Sequence, residues 1–291
     1  MFIEQAYTGK NNWYLYLFTI LVVFFITQIG SLPLMLYLLH TNPEALQNGL
    51  INFTDTNWGL ALTLLPFLCG FFAIFFCIQY FQQKQPLSIV TGRPTFNWQR
   101  FFFGAGIWAA ISLVIIFISI YTEKEVVFQF NAPKFAGLLI ISLLLLPFQT
   151  AFEEILFRGY LQQGLFLLFK SKWLALILTA ILFGLMHGAN PEVENFGMEI
   201  ALPQYIAMGL LLGYIAYKDN GLELAIGLHA ANNIIASVVL TSDASALQTN
   251  ALFKDLNPTA SHLDTLILIM AGILFIAICN RKYRLLHDEL K

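Results

Sequence analysis

Residues 135–169 read FAGLLIISLLLLPFQTAFEEILFRGYLQQGLFLLF. From Phe135 to Phe148 the run is apolar apart from Ser142. Gln149, Thr150, Glu153, Glu154 and Arg158 follow within it, and mostly apolar residues resume to Phe169, interrupted by Gln162 and Gln163. A bilayer-spanning helix needs roughly 20 apolar residues, so this stretch is long enough to cross. At about 1.5 Å per residue it makes about 50 Å of helix, more than one crossing requires. It must tilt, break near Pro147 or run partly along the membrane interface. Charged groups at that depth cost several kcal/mol and are rarely there without a partner or a task.

The rest of the chain has the same character. Of 291 residues, 58% are hydrophobic and 11% charged, against about 25% charged in a soluble domain. The composition predicts an all-α, polytopic membrane bundle surrounded by lipid. Eight apolar runs serve as spans: about 13–39, 59–82, 101–121, 135–169, 173–188, 203–217, 222–240 and 264–280. The first run is too long for a signal-peptide core and is read as a retained span. No internal repeat or Gly/Ser-rich linker divides the chain, which is read as one membrane domain, 1–291, with a motif-bearing core at about 135–240. A net charge of −2 argues against a nucleic-acid partner.

Lys and Arg set the expected orientation. With the N-terminus inside, inner segments hold Lys10, Lys84, Arg93, Arg100, Lys170, Lys172, Lys218, Arg281, Lys282, Arg284 and Lys291. Outer loops hold Lys124, Lys134 and Lys254. This bias puts both termini in the cytoplasm, and in a bacterium the membrane would be the plasma (inner) membrane.

Spacing brings the polar groups together. Lys170–Lys172 reads as a hairpin turn, with Glu153 seventeen residues before Lys170 and His187 seventeen after it. Antiparallel helices joined there carry both to one depth, about 25 Å from the turn. The next polar span restarts near Gly221, which puts His229 and Asn233 about 13 and 19 Å along it. Glu154 and Arg158 are i and i+4 and share a helix face, as do His229 and Asn233; Glu153 lies about 100° around from Glu154. Gly184 with Gly188, and Gly209 with Gly213, have the spacing that admits a close helix neighbour.

Blander uses exist. Thr150-x-x-Glu153 matches a capping box after Pro147, Glu154–Arg158 is a natural structural pair, and a membrane histidine or Asn233 can simply hydrogen-bond a neighbouring helix. Taken together, these uses require several unrelated costs in three nearby helices.

Glu153-Glu154-x-x-x-Arg158, Phe183-x-x-x-His187 and His229-x-x-x-Asn233 resemble, in order, the three motifs of the CAAX-protease and bacteriocin-processing family (Abi proteins). These are intramembrane endopeptidases related to the type II CAAX prenyl endopeptidase. The resemblance covers about 135–240 and implies hydrolysis of a peptide bond in a membrane-associated or lipidated peptide. It implies that Glu153 with His187 activates water, that His229 and Asn233 stabilise the oxyanion, and that Glu154 with Arg158 holds the site. The residues allow two chemistries. Glu153, His187 and His229 supply three ligands for a divalent metal, zinc in the first instance, with water as the fourth. A buried glutamate acting as base without metal is the other. The chain lacks HExxH and does not look like a zincin. Alternative functions are a proton- or ion-coupled transporter, which the absent inverted repeat disfavours, and a non-catalytic membrane immunity or scaffold protein.

Overall fold

The computed structural model describes residues 1–41, 57–122 and 125–285; Lys124 and Lys291, used above for orientation, lie outside the described residues. Each of the eight apolar runs is helical. The helices are α1 (Trp13–Thr41), α2 (Asn57–Tyr80), α3 (Trp98–Thr122), α4 (Ala132–Glu154), α5 (Gln162–Phe169), α6 (Lys172–Met186), the short α7 (Pro191–Phe196), α8 (Met198–Lys218), α9 (Glu223–Val238) and α10 (His262–Tyr283). Among the described residues, six helices are long and apolar enough to cross a membrane, counting 132–169 as one. On α1 and α10 large apolar side chains such as Leu21, Phe24, Leu266 and Met270 are exposed. So much apolar surface suits hydrocarbon rather than water, and the chain is an integral membrane protein.

The remaining two expected spans are shorter: α6 has 15 residues and α9 has 16. α9 carries Glu223, His229, Asn232 and Asn233, yet every residue from Glu223 to Ala231 is buried. That stretch is enclosed by protein rather than by lipid, which is how Glu223 and His229 are tolerated, while Asn232 and Asn233 are half-buried. Glycines allow the enclosure. A Cβ on Gly227 would lie 2.2 Å from the Phe101 carbonyl oxygen, and one on Gly104 would lie 2.9 Å from that of Leu224, so α3 and α9 approach backbone to backbone.

The long run 132–169 does not break at Pro147. α4 passes through that proline, and Thr150 Oγ1 donates to the Leu146 and Pro147 carbonyls at 3.1 and 3.3 Å. A hydroxyl bonded to the preceding turn is a usual accompaniment of proline in membrane helices. The capping reading of Thr150 and Glu153 fails for the same reason, because no helix begins there. The irregularity comes directly after Glu154, as a π-helical segment over Ile155–Leu161. Gly159 lies within it, and a Cβ there would meet the Ile89 carbonyl oxygen at 2.0 Å. Wide turns of this type concentrate at functional sites.

The hairpin forms where the spacing puts it. Lys170 takes a left-handed conformation at φ 54° and ends α5, while Ser171 accepts from Leu174 N to open α6. α6 packs on α8 through Gly184 and Gly209, whose added Cβ atoms would lie 2.4 Å from Ile206 Cγ1 and 3.0 Å from Ala180 Cα. Gly188 takes no part in this packing: α6 ends at Met186, and its Cβ would meet only the Leu185 backbone. The all-α expectation also omits a small sheet. β1 (Val126–Phe128) pairs antiparallel with the middle strand β3 (Phe253–Asp255), which pairs parallel with β2 (Leu240–Ser242). These three-residue strands lie in connections, with only Leu240 of β2 inside an apolar run, so helical periodicity gives no signal for them.

Candidate functional site

Glu153 and Glu154 close α4 and face α9. Glu154 is fully buried, and its Oε1 accepts from Arg158 Nη1 at 2.9 Å and from His229 Nδ1 at 2.8 Å. Arg158 is also fully buried; its Nη2 donates to the Gly209 carbonyl at 3.2 Å, and its guanidinium lies 4.3 Å from the Phe183 ring centroid. The i, i+4 spacing dictates the Glu154–Arg158 pair. His229 on the same carboxylate comes from a different helix and was not part of the expectation.

That contact fixes the imidazole. A carboxylate can only accept, so Nδ1 of His229 carries the proton and, in the neutral ring, Nε2 keeps its lone pair. Nε2 lies 3.7 Å from Glu153 Oε2, beyond hydrogen-bond distance. Glu153 Oε2 is buried and has no hydrogen-bond partner among the described residues, whereas Oε1 accepts from Gln149 Nε2 at 2.6 Å. Two acceptor atoms therefore face each other with no donor between them.

Asn233 Nδ2 donates to Gln149 Oε1 at 2.9 Å, which joins the third motif to the first. His187, at the end of α6, is bound differently. Its Nδ1 lies 2.7 Å from the Phe183 carbonyl oxygen, so this nitrogen too is the donor and Nε2 the lone pair. The ring stacks on Tyr205 at 4.5 Å and 24°, and Tyr205 accepts from Asn190 Nδ2 at 3.1 Å. The Phe183 ring touches both imidazoles, at 4.5 Å from His187 and 6.1 Å from His229.

The structure thus brings Glu153, Glu154, Arg158, His229 and Asn233 into one bonded set. Among the described residues no hydrogen bond or ion pair joins His187 to Glu153; the imidazole facing Glu153 is that of His229. Each histidine has the tautomer a metal ligand needs, with Nδ1–H bound and Nε2 free. Glu153, His187 and His229 nevertheless do not converge. Among the described residues no three His, Cys, Asp or Glu side chains form a group able to hold a metal ion. The trio as placed does not fit a zinc site, and no step below runs through a metal.

Sequence reasoning passed over Gln149 and Tyr205. Gln149 carried a signal, being an amide four residues before Glu153 in an apolar run. Tyr205 carried none, since an aromatic residue in a membrane helix is ordinary.

A family model described as type II CAAX prenyl endopeptidase Rce1-like matches residues 134–235. A protein of Bacillus subtilis (strain 168), YyaK, described as uncharacterized, is 29% identical over 245 residues, covering 81% of this chain and 81% of its own. No solved structure matches the chain. The matched segment contains all three motifs and the bonded set around Glu154. Over residues 134–235 the chain resembles the type II CAAX prenyl endopeptidases, the family to which its motifs point.

Proposed function

We propose that this protein is an intramembrane endopeptidase that hydrolyses a peptide bond of a membrane-associated or lipidated peptide. At the level of the family, the Rce1-like match supports CAAX-type intramembrane protease activity. The observation that carries the reading is the pair of facing acceptors, Glu153 Oε2 and His229 Nε2, 3.7 Å apart.

A water molecule can satisfy both acceptors, donating one hydrogen to each. With hydrogen bonds of about 2.8 Å it sits beside the line joining them. Its lone pairs then point away from the pair, toward a scissile carbonyl carbon. Glu153 takes a proton as the water oxygen bonds to that carbon, and the tetrahedral oxyanion forms. Asn233 commits one amide hydrogen to Gln149, and its other hydrogen is the donor available to the oxyanion. Glu153 returns its proton to the leaving nitrogen as the C–N bond breaks. Glu154, held by Arg158, keeps the His229 ring in the required tautomer. The resemblance gives His187 a share in activating the water, but both hydrogens of this water are committed to Glu153 and His229, and His187 is bound to the Phe183 carbonyl and stacked on Tyr205.

The substrate peptide approaches from the bilayer, and both termini lie in the cytoplasm. The test is cleavage, in proteoliposomes, of a fluorogenic peptide ending in an S-farnesylated cysteine followed by three residues. Glu153→Gln is expected to abolish cleavage while the protein still inserts and melts normally, and His229→Ala to abolish it while the protein still inserts. A fully active Glu153→Gln variant overturns the reading, and solute uptake that depends on Glu153 would replace it with transport.

A further inference from the structure

Four hydrogen bonds lead from α3 to Glu153. Trp108 Nε1 donates to Asn232 Oδ1 at 3.1 Å, Asn232 Nδ2 to Asn233 Oδ1 at 3.2 Å, Asn233 Nδ2 to Gln149 Oε1 at 2.9 Å, and Gln149 Nε2 to Glu153 Oε1 at 2.6 Å. Side-chain amides ordinarily leave their two ends interchangeable. Here the ends of the chain decide. An indole N–H can only donate and a carboxylate can only accept, so all three amides between them have one consistent orientation. Trp108 and Gln149 are buried, where an amide turned the wrong way would strand polar atoms at a cost of about 1–3 kcal/mol.

We propose that Trp108, Asn232, Asn233 and Gln149 form a directional relay whose role is to position Glu153 for catalysis. The relay holds Oε1 with a charge-assisted bond and thereby turns Oε2 toward His229. It also occupies Oδ1 and one Nδ2 hydrogen of Asn233, so only one hydrogen remains for substrate. Hydrogen bonds aligned head to tail polarise one another, so the Gln149–Glu153 bond depends on the indole at the far end. Trp108 lies on α3, outside the matched segment 134–235, so the relay ties the motif-bearing helices to a helix without motifs. Gln149 and Trp108 touch no reacting atom and are positioning residues. The inference rests on Glu153 being the base.

The experiment measures kcat and KM for the S-farnesylated peptide in proteoliposomes, with melting in detergent alongside. The variants are Gln149→Glu, Gln149→Met, Trp108→Phe and Glu153→Gln. Gln149→Glu keeps the acceptor for Asn233 but removes the donor to Glu153; Trp108→Phe removes the N–H that starts the chain. Both Gln149 variants are expected to lose about 10–100-fold in kcat with KM unchanged, as for other residues that orient an active group. Trp108→Phe is expected to show a smaller loss, again in kcat alone. A merely structural role would lower the melting temperature and leave kcat per folded molecule intact. Should the Gln149 variants fail to insert, Trp108→Phe decides, and wild-type kcat there overturns the relay. Wild-type kcat in the Gln149 and Trp108 variants beside an inactive Glu153→Gln overturns the relay and leaves the peptidase reading standing. An active Glu153→Gln removes the peptidase reading itself.

Discussion

Two buried ionic clusters in this molecule use similar parts to different ends. At the α8–α9 turn, Asp219 and Glu223 meet Arg93 and Arg100. Arg93 reaches Asp219 Oδ1 at 3.2 Å and Glu223 Oε2 at 3.0 Å, Arg100 bonds Asp219, and Asn97 N donates to Glu223 Oε1. Two acids face two guanidinium groups, and Arg100 also lies 4.0 Å from the Tyr283 ring centroid. In the second cluster the one arginine pairs with Glu154, His229 lies between the two acids, and Glu153 is bonded by the Gln149 amide. The first set is balanced and ties the 91–100 segment to the turn. The second has an acid in excess, and that acid is the one whose Oε2 faces an imidazole lone pair. Counting charges around each carboxylate separates a latch from a site better than burial does, because all four carboxylates are buried.

Removing one carboxylate from each cluster gives the sharpest contrast. Glu153→Gln should lower cleavage by about 10²–10⁴-fold, the usual contribution of a general base, with little change in melting. Glu223→Gln should do the reverse, costing about 1–3 kcal/mol of stability for a lost charged hydrogen bond while kcat per folded molecule holds. If the two variants behaved alike, the distinction between latch and site would be lost. Next in size is Arg158→Met. Both partners of the Glu154–Arg158 pair have side chains at 0% exposure. Removing one leaves an unpaired buried charge, worth about 3–5 kcal/mol, read as a large drop in melting temperature in detergent. A stable, active Arg158→Met would mean that His229 alone suffices to hold Glu154.

Much of this arrangement follows from local rules that a sequence exposes. Apolar run lengths mark the helices, and i, i+4 spacing gives Glu154 its arginine. Counting from Lys170 puts the first two motifs at one level, and Arg158 does lie against Phe183 across the hairpin. What local rules miss is long-range. The π-helical segment carries Gly159 against the Ile89 carbonyl from another part of the chain, whereas Pro147, the obvious breaker, is accommodated by Thr150. Helical phase showed Glu153 and Glu154 pointing in different directions but not which of them His229 would bond. Depth puts His187 level with Glu153 and the resemblance pairs them, but depth does not include the rotation that turns its Nδ1 back to Phe183. Gln149 and Trp108 look ordinary until their partners are known.

The α8–α9 cluster also makes a prediction about pH. Burial pushes the Asp219 carboxyl up from 3.8 to about 6, against the opposing pull of Arg93 and Arg100. An acid whose folded pKa exceeds its unfolded value binds its proton more tightly when folded. Its contribution to stability is therefore present below about 3.8 and is lost as pH rises through about 6. Asp219→Asn cannot titrate. The melting temperature of the wild type relative to Asp219→Asn should fall as pH is raised from about 4 to about 6; a flat difference would show that the arginines offset burial, and a rising one that they dominate this carboxyl.

The smallest expected effect is that of a chelator. The resemblance leaves room for a divalent metal, and each imidazole has the right tautomer for one, with Nδ1 bound and Nε2 free. A protein zinc site normally needs at least three side chains converging on one point. His229 faces Glu153, but His187 is stacked on Tyr205 and hydrogen-bonded to Phe183, and no three-ligand group forms among the described residues. Protein treated with a chelator and passed into metal-free buffer is therefore expected to cleave the farnesylated peptide at its untreated rate. Elemental analysis should find zinc well below one per chain. Loss of cleavage that zinc restores would require His187 to leave Tyr205 and join Glu153 and His229. The excess acid would then be balanced by a cation, and the contrast between the two clusters would be one of which cation neutralises the carboxylates, not of whether one does.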